Sequence, residues 1–245
     1  MKDLQKTRKL VKTSFFIAVV TIAAVLAFPR ELTGKEWQIY MNSYLITTMG
    51  LTVGGAAIGI FFGMVLAFFK FQKTNNEIVN MIKDVVIDEY VDIMRGTPMV
   101  LQLLILSVVV AVFDNYWVAV IALGMNSAAY VEETVRSGIE SIDKGQMEAA
   151  RATGMPYRMA MNEIIMPQAV KNILPALVNE FINLFKETAV VGYISVVDIT
   201  MNSKSLQAVY YSVKPILFTG LVYYISVKLF SFIGKRLEMR LKEND

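Results

Sequence analysis

The chain has 245 residues, of which 55% are hydrophobic and 18% charged. A soluble domain is typically about a quarter charged, and here the deficit is concentrated in long apolar runs, so the composition indicates an integral membrane protein. There is no cysteine, hence no disulfide framework, and no histidine, which removes the usual general base and the commonest metal ligand together. The net charge of +3 indicates basic cytoplasmic loops rather than a nucleic-acid partner.

The first 43 residues form a basic segment followed by an apolar run at 14–28. This run is short for a transmembrane helix, which needs about 20 residues. Two interpretations are open: an uncleaved signal anchor, which we favour, or a signal peptide with Val25 and Ala27 before the cleavage point. In both cases the basic start stays in the cytoplasm and the chain emerges outside near Pro29.

Residues 44–237 predict an all-α membrane bundle of five core transmembrane helices, ahead of a short cytoplasmic tail at 238–245. The predicted spans are 44–69, a helix that begins near 75 and crosses at 99–113, then 116–131, 164–199 and 215–233. Lys and Arg are concentrated in the segments that this topology places inside and are sparse in the outer loops, as expected for cytoplasmic loops. A further outer loop is predicted at 201–208.

Small residues and prolines mark special points in these spans. Gly55, Gly59 and Gly63 recur every fourth residue, which places them on one helix face where another helix can approach closely. The stretch Arg95-Gly96-Thr97-Pro98 predicts a kink or break in the second core span. Pro167 and Pro175 predict a kinked or discontinuous fourth core span.

The segment 139–162 is too polar to cross a membrane and predicts a short cytoplasmic helix. Asp143 and Gln146 can form a start that resembles a capping box, and the alanines that follow are good helix formers with little bulk. Gly154 can end the helix in a left-handed conformation, and Pro156 can begin the next helix at its first turn. Taken alone, these features also fit an ordinary amphipathic loop helix.

A spaced motif in this segment carries a family resemblance. The residues in order are Glu148-Ala149-Ala150, then Gly154 after three residues, Ile164 after nine more, and Met166-Pro167 after one more. The pattern resembles the EAA loop of the membrane subunits of ABC importers, E-A-A, three residues, G, nine residues, I, one residue, L-P. The single departure is Met166 in place of Leu, which conserves volume.

The resemblance implies that the membrane pathway and the ATPase are separate subunits. In this family the loop helix docks into a cleft on a separate ATPase subunit, which implies coupling roles for Glu148, Ala149, Ala150, Gly154 and Pro167. ATP and magnesium are then bound by the ATPase and no cofactor is bound by this chain, which also lacks the phosphate-binding pattern G-x-x-x-x-G-K-[ST]. The other implied partners are an extracytoplasmic amino acid-binding protein, a second permease subunit (a copy or a close relative) and the lipid membrane. No nucleic-acid partner is implied.

Further motifs are similar to the branch of the family that imports polar amino acids such as histidine, glutamine, glutamate and arginine. They are Arg95-Gly96-Thr97-Pro98, Asn126-Ser127-Ala128-Ala129-Tyr130, Glu133, Arg136-Ser137-Gly138-Ile139, Lys144-Gly145-Gln146 and Lys186-Glu187-Thr188. The resemblance covers about 44–233. It departs at Met125, at Asp143 and at Glu132, where a usually small residue is replaced by a charge.

Polar and charged side chains inside the spans are costly and mark functional sites by default. We therefore assign six candidates to the substrate pathway: Arg95, Asn126, Tyr130, Glu133, Glu180 and Lys186. Each charged group also has a structural interpretation. Arg95 and Glu133 can form an ion pair, Lys186 can pair with a carboxylate on a neighbouring helix, and Arg136 and Lys228 can extend to the membrane surface.

Glu180 gives the sharpest hypothesis about substrate, because many relatives carry a neutral Gln at this point. A carboxylate within the fourth core span can hold the cationic end of arginine, lysine or histidine. The proline-broken helix would direct a positively charged helix start at the substrate carboxylate. An importer of glutamine or glutamate remains the alternative.

An ion-coupled secondary carrier is the rival class of protein, although such a carrier needs no docking helix. A membrane enzyme is disfavoured, because the chain lacks histidine, cysteine and a paired carboxylate in one span.

Overall fold

The computed structural model describes residues 2–242, which are almost entirely helical and contain no β-strand, so the predicted all-α class is confirmed. Met1 and residues 243–245, the end of the predicted tail, lie outside the described residues. So do the side chains of Lys2, Asp3, Gln5, Lys6 and Lys9 at the start of the chain and of Lys242 at its end.

The helices follow one another through short turns. Their bounds are α1 Lys2–Ala27, α2 Gly34–Asn42, α3 Met49–Phe71, α4 Glu77–Gly96, α5 Met99–Val109, α6 Asn115–Glu140, α7 Lys144–Ala152, α8 Tyr157–Ala160, α9 Met166–Glu187, α10 Ile199–Tyr210 and α11 Lys214–Lys242. A π-helical turn at Ser43–Thr48 makes α2 and α3 continuous, and another at Met161–Ile165 does the same for α8 and α9. The predicted division at residue 43 falls inside the first of these continuous helices.

Three helical stretches in 2–242 are long and apolar enough to cross a membrane: Leu10–Ala27, Gly34–Phe71 and Lys214–Leu241. The pair α4 and α5 meets the same criterion together but is bent by 109° at Thr97–Pro98, which is where the sequence predicts a break. Helices α6 and α9 are long enough but more polar. The number of core spans, five, therefore stays a prediction.

The most extensive helix pairing in the bundle is between α3 and α6. A Cβ atom on Gly59 would lie 2.6 Å from the Cβ of Ser127, and one on Gly63 would lie 2.5 Å from the Cβ of Val131. Gly55 is buried in the same way against Leu123. The predicted glycine face is thus the surface on which the two backbones approach each other.

Polar side chains connect the continuous helix of α2 and α3 to the last two helices, α10 and α11. At the π turn, the Thr48 hydroxyl donates to the Ser43 carbonyl (3.0 Å) and accepts from the Ile199 amide (3.2 Å), while Asn202 donates to the Ser43 hydroxyl (2.9 Å). Hydroxyl pairs at 2.7 Å join Tyr40 to Thr219 and Tyr44 to Ser226. These bonds satisfy the polar groups of a widened helical turn inside an apolar bundle.

The predicted outer loop at 201–208 is wrong, because these residues belong to helix α10. The side chain of Asp198 accepts from the amides of Thr200 and Met201 and so caps the start of the helix. Tyr211 ends it in the left-handed conformation, with φ 50°. The cap and the buried Leu206 explain a helix that composition alone did not indicate.

The sequence predicts a kinked or discontinuous fourth core span, and the structure excludes the discontinuous form, since α9 continues through Pro175 from Met166 to Glu187. A proline removes one backbone donor and disfavours a helix interior, but here α6 and α11 pack against α9 on either side of the chain. No helix start is created within the membrane, so the hypothesis of a positively charged helix end directed at the substrate is wrong. After Glu187 the helix tightens into a 3₁₀ segment, Thr188–Ile194.

Helices α1 and α11 meet at the end of the bundle that holds residues 28–33. Phe28 stacks on Trp37 (ring centroids 5.3 Å apart) and contacts Phe218 edge-on. Beside these rings, Lys214 donates to Glu31 (2.9 Å), and this hydrogen bond lowers the pKa of the exposed Glu31 carboxyl. Aromatic rings of this kind are typical of a membrane–water interface.

The glycine face predicts a difference between two conservative changes. Gly63→Ala should lower stability by about 1–3 kcal/mol, because the new methyl would overlap Val131 and the carbonyl of Ala128. Gly220→Ala on α11 is the matched control, since nothing lies within 4 Å of its Cβ position. Thermal unfolding of the purified chain in detergent compares them. Equal unfolding temperatures would mean that α3 and α6 are not closely packed.

Candidate functional site

The bend between α4 and α5 is held by side-chain amides. The last carbonyls of α4 have no partner in the next helix, because Pro98 carries no amide hydrogen. Gln102 donates to the carbonyls of Met94 (2.7 Å) and Thr97 (3.0 Å). Asn126, which is 3% exposed, donates to the Met94 carbonyl and to the Gln102 side chain, both at 3.1 Å. The predicted pathway residue Asn126 therefore stabilises the bend.

An ionic and aromatic cluster lies beside the bend. Arg95, near the end of α4, pairs with Glu133 on α6, and its guanidinium lies 5.3 Å from the ring centroid of Tyr130. Both charged side chains are about one-third exposed. The structural interpretation of this pair is thus observed. The cluster joins α4 to α6 at a point that is partly exposed on the surface of this chain.

Glu132 is the charged residue that departs from the family pattern, and it is fully buried. Neither carboxylate oxygen has a hydrogen-bond partner among the described residues. Its nearest cation is Arg136, at 3.7 Å (Nε to Oε1), and Arg136 also contacts Glu133 and Glu140. Arg136 does not simply extend to the membrane surface, because it compensates buried negative charge on its own helix.

Glu180 lies on the other side of α6, at the contact between α6 and α9. Its carboxylate accepts a 3.0 Å hydrogen bond from Ser127, whose side chain is buried. Ser127 in turn packs against Gly59 of α3. Among the side chains that the structure describes, no Lys or Arg lies within ion-pair distance of Glu180. The arrangement is a partly buried carboxylate at the junction of three helices, with one hydroxyl donor and no cation.

The structure therefore divides the six predicted pathway residues into separate groups. Arg95, Asn126, Tyr130 and Glu133 share the bend, while Glu180 lies across α6 next to Ser127. Lys186 is exposed and forms no ion pair with a described carboxylate, so its predicted pairing is not observed. Ser127 and Gln102 were not predicted as site residues. Two features of the sequence could have indicated these residues: Ser127 lies in the motif Asn126-Ser127-Ala128-Ala129-Tyr130, and Gln102 is an isolated polar residue in an apolar run.

The loop helix α7 has a defined start and end. The Asp143 side chain accepts from the Gly145 amide (2.8 Å), and no bond from the Gln146 side chain completes the expected capping box. Gly154 has φ +86°, as predicted. The amides of Gly154 and Met155 donate to the carbonyls of Arg151 and Ala150 (3.0 and 3.2 Å), which is the Schellman pattern. Glu148 and Ala149 are exposed and Ala150 is buried, so α7 presents a small-residue surface to the outside.

Helix α7 rests on the beginning of the long helix that follows. It contacts α8 and the π turn 161–165, and residues 157–187 are helical without interruption. Pro167 is exposed in the first turn of α9, close to this contact. The exposed loop and the interior carboxylate Glu180 are therefore connected through one helical segment.

A bundle of apolar helices with charged groups in its interior and an exposed loop helix at one end defines a membrane subunit of a transporter. Residues 59–243 match the family described as "Binding-protein-dependent transport system inner membrane component", and the chain belongs to this family. It is a permease subunit of an ABC importer, and the predicted location in the cell membrane is confirmed.

Named relatives and a solved structure agree with this family. The chain is 42% identical to the arginine transport system permease protein ArtQ of Bacillus subtilis (strain 168), over 82% of this chain and 92% of that protein. It is 36% identical to the putative glutamine transport system permease protein GlnP of Rickettsia typhi (strain ATCC VR-144 / Wilmington), over 81% and 91%. The crystal structure of an amino acid ABC transporter with histidines superposes with a TM-score of 0.76 at 34% identity, covering 84% of this chain and 95% of that chain.

The buried charge pair predicts a double-mutant cycle. Arg136→Met should destabilise the chain by about 2 kcal/mol, because Glu132 then loses its nearest cation. Glu132→Met combined with Arg136→Met should recover most of this loss, since two apolar side chains need no partner. Unfolding midpoints of the four proteins in detergent give the coupling energy. Additive effects of the two changes would show that the groups do not interact.

Proposed function

We propose that this chain forms the translocation pathway of an ATP-driven importer of polar amino acids with a preference for cationic ones, namely arginine, lysine and histidine. The observation that carries the preference is the partly buried carboxylate of Glu180, which has a hydroxyl donor but no ion-pair partner among the described lysine and arginine side chains. A carboxylate away from water is destabilised unless a positive charge compensates it. A cationic substrate would supply that charge.

The relatives support a polar amino acid as the substrate, and their names include both a cationic and a neutral one. ArtQ is named as an arginine permease, and the Rickettsia protein as a putative glutamine permease. The alternative is therefore an importer of glutamine or glutamate. In that case the Glu180 carboxylate would be held neutral by a proton or would accept hydrogen bonds from the substrate amide, and it would give no preference for a cation.

The remaining parts of the transporter belong to other subunits. A separate ATPase would bind ATP and magnesium and receive helix α7, an extracytoplasmic binding protein would deliver the amino acid, and a second permease subunit would complete the pathway. The exposed Glu148 and Ala149 surface of α7, bounded by the left-handed Gly154, supports this docking role. Pro167 borders the same contact. ATP-driven movement of α7 would then open the pathway alternately to either side.

Changes in α7 test the coupling. Glu148→Ala with Gly154→Ala removes an exposed charge and strains a turn that needs positive φ, where an L-residue costs about 1–2 kcal/mol. We expect the ATPase subunit to bind more weakly and ATP-dependent uptake into liposomes to fall at least about tenfold, while the spans stay folded.

The control for this change is Glu77→Ala with Gly34→Ala, which alters the same residue types away from α7. Glu77 is exposed and nothing lies within 4 Å of the Gly34 Cβ position. Uptake that is driven by an ion gradient without ATP, and is unaffected by the α7 changes, would instead identify a secondary carrier.

Glu180→Gln tests the substrate preference independently of coupling. A charge-assisted hydrogen bond contributes about 1.5–3 kcal/mol, so losing it should lower the ratio of arginine to glutamine uptake by about tenfold or more. Labelled arginine and glutamine uptake are measured on the same liposomes with the cognate binding protein. Glu77→Gln is the control for the loss of one carboxylate. An unchanged ratio of arginine to glutamine uptake would mean that Glu180 has only a structural role with Ser127. It would then favour the alternative, an importer of glutamine or glutamate.

A further inference from the structure

A cavity of about 750 Å³ lies between α1, α9 and α11, and neither Glu180 nor a residue of the α4–α5 bend lines it. We call it the α1–α11 cavity. Among the described residues that line it, the basic ones are Lys12, Lys228 and Lys235 and the acidic one is Glu238. The lining therefore has a positive excess, at the end of the bundle where both α1 and α11 carry their basic residues.

The three lysines have no carboxylate within ion-pair distance in the described part of the chain. The Lys228 ammonium instead lies 5.4 Å from the ring centroid of Tyr224 and 6.0 Å from that of Phe16. Both rings line the cavity. A lysine that faces aromatic rings rather than a carboxylate keeps its positive charge available to an anion.

The two lysines of α11 form a line of charge along one face of the helix. Lys228 and Lys235 are seven residues apart, which is about two turns, so they lie on the same side and about 10 Å apart along the axis. Lys235 is followed by Arg236 and Arg240, the basic residues that mark the predicted cytoplasmic surface. Lys228 therefore lies deeper than this surface, in a lining that also includes the apolar residues Val19 and Val178.

The outer side of this cavity faces lipid in the monomer. The apolar residues of α1 are mostly exposed, including Phe15, Ile17 and Val19, and α1 packs on the bundle through α11. An apolar helix whose surface is uncovered contacts the hydrocarbon of the membrane. The cavity thus combines an opening toward lipid with unneutralised cations near the headgroup level.

We propose that the α1–α11 cavity binds one anionic phospholipid of the cytoplasmic leaflet. Its phosphate lies between Lys228 and Lys235, and its acyl chains follow the apolar walls of α1 and α9. A volume of about 750 Å³ accommodates the headgroup region and the upper parts of the chains. Basic cavities between membrane helices on the cytoplasmic side are suited to anionic headgroups. This site does not depend on the identity of the transported amino acid.

The test measures lipid retention by the full-length chain with its ATPase, in nanodiscs of equal phosphatidylglycerol and phosphatidylcholine, by native mass spectrometry. The wild type should retain one phosphatidylglycerol per copy in preference to phosphatidylcholine. Lys228→Gln with Lys235→Gln should lower this retention about 30-fold, which is about 2 kcal/mol at 1.4 kcal/mol per tenfold. Lys35→Gln with Lys204→Gln removes the same charge from exposed positions outside the cavity and outside α7 and should leave this retention unchanged.

A second variant tests the space inside the cavity independently of its charge. Ser231→Trp places a large side chain in the cavity and keeps all three lysines, so it should also abolish retention of phosphatidylglycerol. Retention that survives Ser231→Trp, equal retention of the two lipids, or an equal loss in the control pair would each overturn the proposal.

A second permease copy is the competing occupant. The chain has no natural cysteine, so Ser231→Cys introduces a single thiol at the cavity. Efficient disulfide formation between two copies in native membranes would show that protein, and not lipid, covers this site. Accessibility of the thiol to a lipid-soluble reagent, with no dimer formed, agrees with the proposal.

Discussion

The close approach of α3 and α6 is the constraint on which the rest of the structure depends. Between helices in a membrane there is no water to expel, so packing and hydrogen bonds must hold the bundle together. Gly55, Gly59 and Gly63 of α3 bring its backbone against Leu123, Ser127 and Val131 of α6. This places α6 at the centre, where its neighbouring residues Asn126 and Ser127 face different helices: the first bonds to the bend of α4 and the second to Glu180.

The charged groups of α6 follow from the same position. A central helix can carry Glu132, Glu133 and Arg136 because neighbouring helices and its own side chains shield and compensate them. A single unpaired charge inside the bundle would be unfavourable. In a cluster of opposite charges, each charge attracts a neighbour of the other sign, and this attraction offsets part of the lost hydration energy. The polar interior is therefore concentrated on α6 and α9, the two long helices that are too polar to be recognised as spans by hydropathy.

The sequence predicted those features that depend on one segment alone. The break before Pro98, the left-handed Gly154 and the glycine face are local properties of a helix, and each is present. The pairing of Arg95 with Glu133 was foreseen only as an alternative to a pathway role. Features that depend on contacts between distant segments were missed: α10 needs the cap of Asp198 and bonds to the π turn of the first span, and Pro175 is tolerated because neighbouring helices hold α9. The Ser127–Glu180 bond joins residues 53 positions apart, a distance at which no periodic pattern operates.

The uninterrupted helix from Tyr157 to Glu187 has a mechanical consequence. Helix α7 presses on its first turns, and Glu180 lies fourteen residues beyond Met166, about 21 Å along the axis. A tilt of about 5° at the loop end displaces the Glu180 carboxylate by about 2 Å, which exceeds the tolerance of its hydrogen bond to Ser127. Because α9 continues through Pro175, a small rotation of α7 on docking to an ATPase, as proposed above, would be transmitted along one continuous helix to the contact between Glu180 and Ser127.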